Sequence, residues 1–365
     1  MIISSYALKA NYSFFFSNFC YYIAMTKTTS LLNHQPFQPS SVLKNRHTQT
    51  LYASFFRKDL PLKYDIEEFT LSDGDFLDIY YNKALLPQEA KAVAVIFHGL
   101  AGSYKSPYVQ GISYELQQYG IAPVVMHYRS TSGRDNRYPQ TYHSGKTDDT
   151  LEFLESIKKR YPDKKIFCIG YSLGANMLLK LLGELGEKSF VDAAVCVSAP
   201  MDLALCADVM KSGFSKVYQE HLLKDLRKSL EKKYEKHDME KLIGIKKEDV
   251  KKLKSFWEFD EVYTAKVNGF ASAKDYYSKC SAKNFLLKIT TPTLILHAKD
   301  DPFMSPAVIP NEDEVSKSVL LEIYEHGGHV GFISGSLTQP LYWLDIRICD
   351  YLLRHLSYNQ PQRHF

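Results

Sequence analysis

Six near-continuous apolar runs along the chain constrain its fold more than any other feature. They are AVAVIF at 92–97, IAPVVM at 121–126, KIFCIG at 165–170, AAVCVS at 193–198, PTLILH at 292–297 and VLLEIY at 319–324. Uninterrupted apolar character is typical of strands that are covered on both faces, as in a parallel sheet between layers of helices. The runs therefore predict the interior of an α/β sheet.

Helical patterns separate these runs. They cover 106–119, 146–160 and 173–185. A further helical pattern near the end of the chain carries Leu341, Leu344, Ile348 and Leu352 at helical spacing. Strands that alternate with helices predict a mostly parallel sheet with right-handed crossovers and helices on both faces.

Two further strand-like runs precede the six. IEEFTL and FLDIYYN flank the turn signal Ser72-Asp73-Gly74-Asp75, which predicts an antiparallel hairpin. The expected sheet therefore has eight strands, with this N-terminal hairpin as its antiparallel edge.

One connection is too long for a single crossover helix. About 90 residues separate Ser198 from Thr291, whereas a crossover needs only a dozen or more. The intervening sequence is rich in Lys and Glu and then aromatic. We interpret 201–289 as a helical lid inserted into a core of 37–200 and 290–357, the alternative being a structural excursion with no gating role.

Residues 1–36 form an N-terminal extension in this division. The first 24 residues are rich in aromatic side chains but lack the continuous apolar segment and cleavage site of a signal peptide. We favour Met25 as the native start over a poor signal peptide.

Charge, cysteines and hydropathy exclude several classes of protein. The formal net charge is only +4, too small to indicate a nucleic-acid partner. The basic excess is concentrated at 211–254, with 14 Lys/Arg and 8 Asp/Glu, typical of a solvated helix surface. Six scattered cysteines without metal-ligand spacing favour a reducing cytoplasm. No run is long enough for a transmembrane helix, and peripheral contact with a membrane stays open.

The strongest chemical signal is Gly170-Tyr171-Ser172-Leu173-Gly174, which lies between a predicted strand and a predicted helix. A serine on such a sharp strand-to-helix turn needs small neighbours, because the turn is strained and the helix passes close to the sheet. The helix N-terminus adds positive potential where an oxyanion would form. Ser172 is therefore the candidate nucleophile.

Stabilisation of an oxyanion requires two backbone N–H donors. Leu173 follows the nucleophile and is the first candidate. The loop His98-Gly99-Leu100-Ala101-Gly102-Ser103 follows the strand AVAVIF, and Leu100 is the second candidate donor. We expect His98 to organise this loop, and His143 to cap or brace the helix that begins near Lys146.

A serine nucleophile also needs a base, and the base needs a carboxylate partner. The order Ser, acid, His is expected for this fold. Asp300 and Asp301 follow the strand PTLILH, and His326 and His329 follow VLLEIY. We favour Asp301 and His329, with Asp300 and His326 as alternatives at each position. A metal site at the two histidines lacks a nearby third ligand.

Seven stretches together make the sequence resemble the α/β-hydrolases, and more narrowly their YheT-like esterase branch, the AB hydrolase 4 family. They are 37–50 with Asn45, His47, Gln49 and Thr50, the loop HGLAGS, Tyr128-Arg129 through YHSGKTDD, GYSLGAN, FDEVYTA with DYY, HAKDDPF, and EHGGHVGF.

The resemblance implies a Ser-Asp-His triad, carried here by Ser172, Asp301 and His329, that hydrolyses carboxylic esters of short or medium acyl chain without a metal or organic cofactor. Related members cleave phospholipids or monoacylglycerols, or transfer the acyl group to an alcohol, and these remain alternatives, as does a non-catalytic binding protein on the same fold. The Lys-rich stretch at 211–254 departs from the family pattern. The expected partner is a small-molecule ester or lipid.

Overall fold

A central eight-stranded sheet organises residues 36–357, the part of the chain that the structure, a computed structural model, describes. Its strand order is β1-β2-β4-β3-β5-β6-β7-β8. The β1–β2 and β2–β4 pairs are antiparallel, and every other pair is parallel. The predicted α/β-hydrolase sheet with its antiparallel N-terminal edge is therefore confirmed.

The strands of this sheet have the following bounds: β1 Tyr64–Thr70, β2 Phe76–Asn82, β3 Ala92–Phe97, β4 Ile121–Met126, β5 Lys165–Tyr171, β6 Ala193–Val197, β7 Thr293–Ala298 and β8 Val319–Tyr324. A separate antiparallel pair, which the apolar runs did not predict, consists of β9 Ile333–Gly335 and β10 Pro340–Tyr342.

The α-helices have these bounds: α1 Arg46–Phe56, α2 Pro107–Gln118, α3 Thr147–Arg160, α4 Leu173–Leu185, α5 Leu203–Val209, α6 Ser215–Lys233, α7 Met239–Ile243, α8 Phe256–Phe259, α9 Ala265–Val267, α10 Ala273–Cys280 and α11 Trp343–Ser357. A π-helical turn, Asp260–Thr264, joins α8 to α9.

Strands β3 to β7 are buried along almost their whole length, as their continuous apolar sequences require. One apolar cluster lies on each face of the sheet. The first is covered by α3 and α4, and the second by α2 and α11. The loops that follow these buried strands lie at the carboxyl edge of the sheet, which is where α/β folds bind their ligands.

The last helix starts later than its apolar spacing suggests. Leu341 has the expected helical spacing from Leu344, but it pairs with Ser334 between β9 and β10. Helix α11 begins at Trp343, whose amide N–H bonds to the carbonyl of Phe332. The short sheet therefore takes the first residues of the predicted helix.

Helices α5 to α10 cover the carboxyl edge of the sheet. They follow β6 and precede β7, the place of the predicted insertion. Their own apolar cluster includes Leu223, Leu230, Phe259 and Tyr263. No helix within residues 36–357 combines the length and apolar character needed to cross a bilayer.

Residues 1–35 and 358–365 lie outside the described part of the chain. The predicted N-terminal extension, except for residue 36, and the predicted start at Met25 therefore lie outside the described residues. All five cysteines within residues 36–357 are unpaired and buried.

Candidate active site

Ser172 lies on a strained turn between β5 and α4. Its φ of +51° and ψ of −117° fall in a region that residues with a side chain rarely adopt. The amide of Ser172 still donates to the carbonyl of Val197 on β6, so the sheet holds the turn in place. The strain directs the hydroxyl away from the sheet at the amino end of α4.

Gly174 permits this turn because α4 starts directly against the end of β3. A Cβ at this position would overlap the carbonyl oxygen of Phe97 and lie 2.7 Å from the carbonyl oxygen of His98. A Cβ on Gly170 would lie 2.7 Å from Cα of Ala175. The small residues of the motif therefore serve close approach between helix and strands, as predicted from the sequence.

A continuous chain of hydrogen bonds joins Ser172, His329 and Asp301. The Oγ atom of Ser172 lies 3.0 Å from Nε2 of His329, and Nδ1 of His329 lies 2.7 Å from Oδ2 of Asp301. Because a carboxylate only accepts, Nδ1 carries the proton and Nε2 is free to accept from the serine hydroxyl. Asp301 is 1% exposed and His329 9%, so water competes little for these bonds.

The alternative candidates form a different pair. Asp300 lies with Oδ2 3.2 Å from Nδ1 of His326, and its Oδ1 accepts from the amide of Gly328 at 2.9 Å. His326 is partly exposed and has no hydrogen bond to Ser172. Within residues 36–357 no group of His, Cys, Asp and Glu has the arrangement of a metal site.

Helix α1 holds the loop that carries His329. The amide of His329 donates to Thr50 Oγ1 at 2.9 Å. Gln49, fully buried, donates to the carbonyls of Leu43 and Ile333 and accepts from the amide of Ile333 at 2.6 Å. Sequence reasoning noted Gln49 and Thr50 only as part of the resemblance. The contacts of Gln49 and Thr50 with His329 and Ile333 span about 280 positions, so no local pattern signals them.

Phe303 fixes both the imidazole and the acid. Its ring stacks on His329 with centroids 4.0 Å apart and planes 7° apart, and its amide donates to Oδ1 of Asp301 at 2.8 Å. Stacking restricts rotation of the imidazole, and an aromatic face favours a cation that forms there. Sequence reasoning did not single out this residue.

Leu100 and Leu173 line the same cavity as Ser172, and their amide N–H groups are unpaired in the described part of the chain. Among residues 36–357, no acceptor takes a hydrogen bond from either N–H group. The neighbouring amides of Gly99 and Ala101 are already paired, with the hydroxyls of Tyr108 and Tyr142. The tyrosines thus shape the loop and leave Leu100 as its free donor.

His98 organises this loop rather than facing the serine. Its Nδ1 pairs with the carbonyl of Gly99 at 2.8 Å and its Nε2 with Thr131 Oγ1 at 3.2 Å. Burial lowers the pKa of His98 to about 4, so its imidazole is neutral near pH 7. A neutral ring adds no charge to this loop.

A cavity of about 750 Å³ opens onto Ser172 and His329. Its walls come from α1, from the loops at the carboxyl edge and from the helices that cover this edge, and most of its lining residues are apolar, among them Leu203, Met210, Leu222, Phe256 and Phe259. The volume lies in the range of sites for small organic ligands, about 300–1,000 Å³. The site can hold an apolar ligand against the serine.

A family model described as the alpha/beta hydrolase fold matches residues 93–336. The chain is 40% identical to "Putative esterase YheT" of Escherichia coli K12 over 92% of this chain and 98% of that protein. It is 29% identical to "Monoacylglycerol lipase" of Saccharomyces cerevisiae over 67% of this chain and 55% of that protein, and 27% identical to "Phospholipase ABHD3" of Mus musculus over 81% and 73%.

Solved structures share the fold at low sequence identity. The Pyrococcus furiosus esterase Pf2001 superimposes with a TM-score of 0.51 at 16% identity, over 87% of this chain and 99% of that one. Est1E from Butyrivibrio proteoclasticus, bound to ferulic acid, gives 0.51 at 15% identity, over 81% and 99%.

Proposed function

Since the chain belongs to the α/β-hydrolase fold family, in its YheT-like esterase branch, we propose that it is a carboxylic ester hydrolase in which Ser172, His329 and Asp301 act as nucleophile, base and acid. The hydrogen-bond chain of 3.0 Å and 2.7 Å through His329 carries this proposal. It connects a strained serine to a buried carboxylate in the geometry that nucleophilic catalysis requires.

The first half-reaction forms an acyl-enzyme. Ser172 Oγ attacks the ester carbonyl carbon while its proton passes to Nε2 of His329. The carbonyl oxygen becomes an oxyanion that accepts from the amides of Leu100 and Leu173. The tetrahedral intermediate then collapses, the bond to the alcohol oxygen breaks, and the alcohol leaves with the proton from His329.

The second half-reaction uses water. His329 removes a proton from a water molecule, whose oxygen attacks the acyl carbon, and Ser172 leaves with the returned proton as the free acid departs. Asp301 holds the imidazole in the tautomer that accepts at Nε2 and stabilises the cation in both halves. None of these steps draws on a metal or an organic cofactor.

The apolar cavity supports an apolar acyl group of short or medium length as substrate. The covering helices α5 to α10 act as a lid in this proposal, because they supply much of the cavity wall and exclude water from the acyl-enzyme. The most direct test is a panel of nitrophenyl esters from acetyl to palmitoyl. We expect the highest kcat/KM at short or medium chains, and a loss of at least about 10⁴-fold in Ser172→Ala.

A lipid ester is the second candidate substrate, because exposed apolar side chains line the cavity at its mouth. Phe55, Phe214 and Val217 line it and are 72%, 52% and 57% exposed. Exposed apolar groups around a cavity mouth suit contact with a lipid aggregate, and the basic stretch at 211–254 would favour an anionic one. A sharp rise in rate when the substrate exceeds its critical micelle concentration would support this; a smooth hyperbola through that concentration would exclude it.

A further inference from the structure

A polar patch interrupts the apolar cavity wall on the side of α8 and α10. It is formed by three stretches that carry the family resemblance and that the mechanism above does not use: YHSG at 142–145, FDEVYTA at 259–265 and DYY at 275–277. Two groups in this patch matter here: His143, whose ring contacts Tyr276, and Asp260, which accepts from the adjacent Tyr277.

His143 presents a hydrogen-bond donor to the cavity. Its side chain is only 7% exposed, and its ring lies edge-on to Phe270 and Tyr276, each with centroids 5.3 Å away. The amide of Gly145 donates to Nδ1 at 3.1 Å, so Nδ1 bears the lone pair and Nε2 the proton. Nε2 has no hydrogen-bond partner within residues 36–357.

The bond to Gly145 also shows what His143 does for its own chain. Helix α3 starts at Thr147 without a side-chain cap, so the imidazole braces only the turn before the helix. Burial lowers its pKa to about 3, which keeps the ring neutral and the Nε2 proton in place at all ordinary pH values. Because His143 lines the cavity, a polar ligand there can accept from Nε2, whereas a hydrocarbon cannot.

Asp260 presents an acceptor in the same patch. It opens the π-helical turn 260–264, a distortion often found at functional sites. The hydroxyl of Tyr277 donates to Oδ2 at 2.7 Å, and the hydroxyl of Thr264 also bonds to this carboxyl. Asp260 lines the cavity and is of intermediate exposure. Burial raises its pKa to about 6, so it is mainly ionised and accepting near pH 7.5.

The lid stretch and the core stretch are fixed to each other beside these groups. Tyr276 accepts from the amide of Ser144 at 2.9 Å. Asn176 on α4, fully buried, donates to the carbonyls of Ser144 and Cys280 and accepts from the amide of Ala282. The polar patch is therefore rigid and is tied to the helix that begins at the nucleophile.

We infer that His143 and Asp260 form a subsite for hydroxyl groups of the substrate, so that the preferred esters carry a free hydroxyl on their alcohol or acyl part. The inference rests on the proposed esterase function. A substrate hydroxyl can accept from the imidazole N–H of His143 or donate to the carboxylate of Asp260, whereas a hydrocarbon can do neither.

The test compares esters that differ only in hydroxyl groups. Glycerol 1-monobutyrate against propyl butyrate probes the alcohol part, and ethyl 3-hydroxybutyrate against ethyl butyrate probes the acyl part. We expect the wild type to prefer the hydroxylated ester in one of the two arms. The readout is the ratio of the two kcat/KM values in that arm.

Substitutions then separate recognition from structure. His143→Phe and Asp260→Asn should each lower the ratio roughly tenfold, while His143→Gln, whose amide can donate from near the Nε2 position, should retain most of it. The matched control is Phe270→Leu, which alters packing on the same imidazole without removing a polar atom and should leave the ratio unchanged.

Two results would overturn the inference: a wild-type ratio near one in both arms, or a His143→Phe variant that loses activity on both esters equally. Failure of the esterase proposal looks different. In that case neither ester is hydrolysed and a fluorophosphonate does not react with Ser172, and the subsite inference falls with it.

Discussion

Replacing Asp301 by Asn should disable the enzyme through a change of tautomer rather than through loss of structure. The amide of Phe303 donates to Oδ1 of Asp301. An Asn at 301 would therefore place its carbonyl oxygen at the Oδ1 position and its NH₂ group against Nδ1 of His329, now 2.7 Å from Oδ2. Nδ1 must then accept, and the proton moves to Nε2, where it blocks transfer from Ser172.

The expected loss in kcat is about 10⁴-fold, as in other triads whose acid becomes an amide, which corresponds to about 5.5 kcal/mol of transition-state stabilisation. KM should change little, because Asp301 is 1% exposed and bonds to the imidazole without lining the cavity. The assay is steady-state hydrolysis of a soluble nitrophenyl ester, with the melting temperature recorded for each variant.

Asp300→Asn is the matched control. Its amide can keep the oxygen that accepts from Gly328 and can direct NH₂ toward Nδ1 of the partly exposed His326. We expect less than about a tenfold loss in kcat. A large loss at 300 together with near-wild-type activity at 301 would refute the reasoning and transfer the acid role to Asp300.

Three further expectations concern positioning, packing and pH. Gln49→Ala should lower kcat and the melting temperature together, by about 1–3 kcal/mol in stability, because the buried amide of Ile333 loses its acceptor; unchanged values of both would contradict the role of α1. Gly174→Ala should yield little folded protein, whereas Gly213→Ala, where a Cβ meets no atom within 4 Å, should cost only the strain of its φ of +54°; equal soluble yields would contradict the close approach. Burial lowers the pKa of His297 to about 4, so the unfolded chain binds more protons than the folded one below about pH 6.5. Urea titrations should therefore show stability falling as the pH drops from about 6.5 to 4, by up to about 1.4 kcal/mol per pH unit from this residue. His297→Gln should reduce this slope, and a flat profile in the wild type would contradict the burial argument.

The sequence predicted the sheet well because the signal was local. Runs that are buried on both faces must be apolar throughout, and β3 and β4 have the bounds of their apolar runs. β8 also has the bounds of its run, but as the edge strand it is only partly buried, which its apolar sequence did not indicate. The motif around Ser172 was equally local, since the strained turn and the close helix demand small residues within five positions.

The contacts that hold the site together could not be predicted from the sequence, because they join residues that are far apart in the chain. Gln49 accepts a hydrogen bond from the amide of Ile333, 284 positions away. Phe303 stacks on His329, and no periodic sequence pattern predicts the conformation of the loop that brings them together. The choice between Asp300 and Asp301 depends on which way two adjacent side chains leave one turn, and their sequence positions alone do not contain this information.

Asp260, in the helices that cover the carboxyl edge of the sheet, shows the same limit. Its stretch reads as a polar and aromatic segment of helical composition, and nothing in its spacing indicates a π-helical turn that presents a carboxyl to the cavity. Only the packing of Tyr277 against it reveals the placement. Polar groups in a cavity wall can therefore be identified only from the tertiary structure, whereas the motif around Ser172 could be identified from the sequence.

The site of covalent modification tests the central claim most directly. After reaction with a fluorophosphonate, digestion and mass spectrometry of the wild-type chain should place the adduct on Ser172, and Ser172→Ala should remain unmodified under the same conditions. An adduct on another residue, or a Ser172→Ala variant that labels as fast as the wild type, would contradict the account.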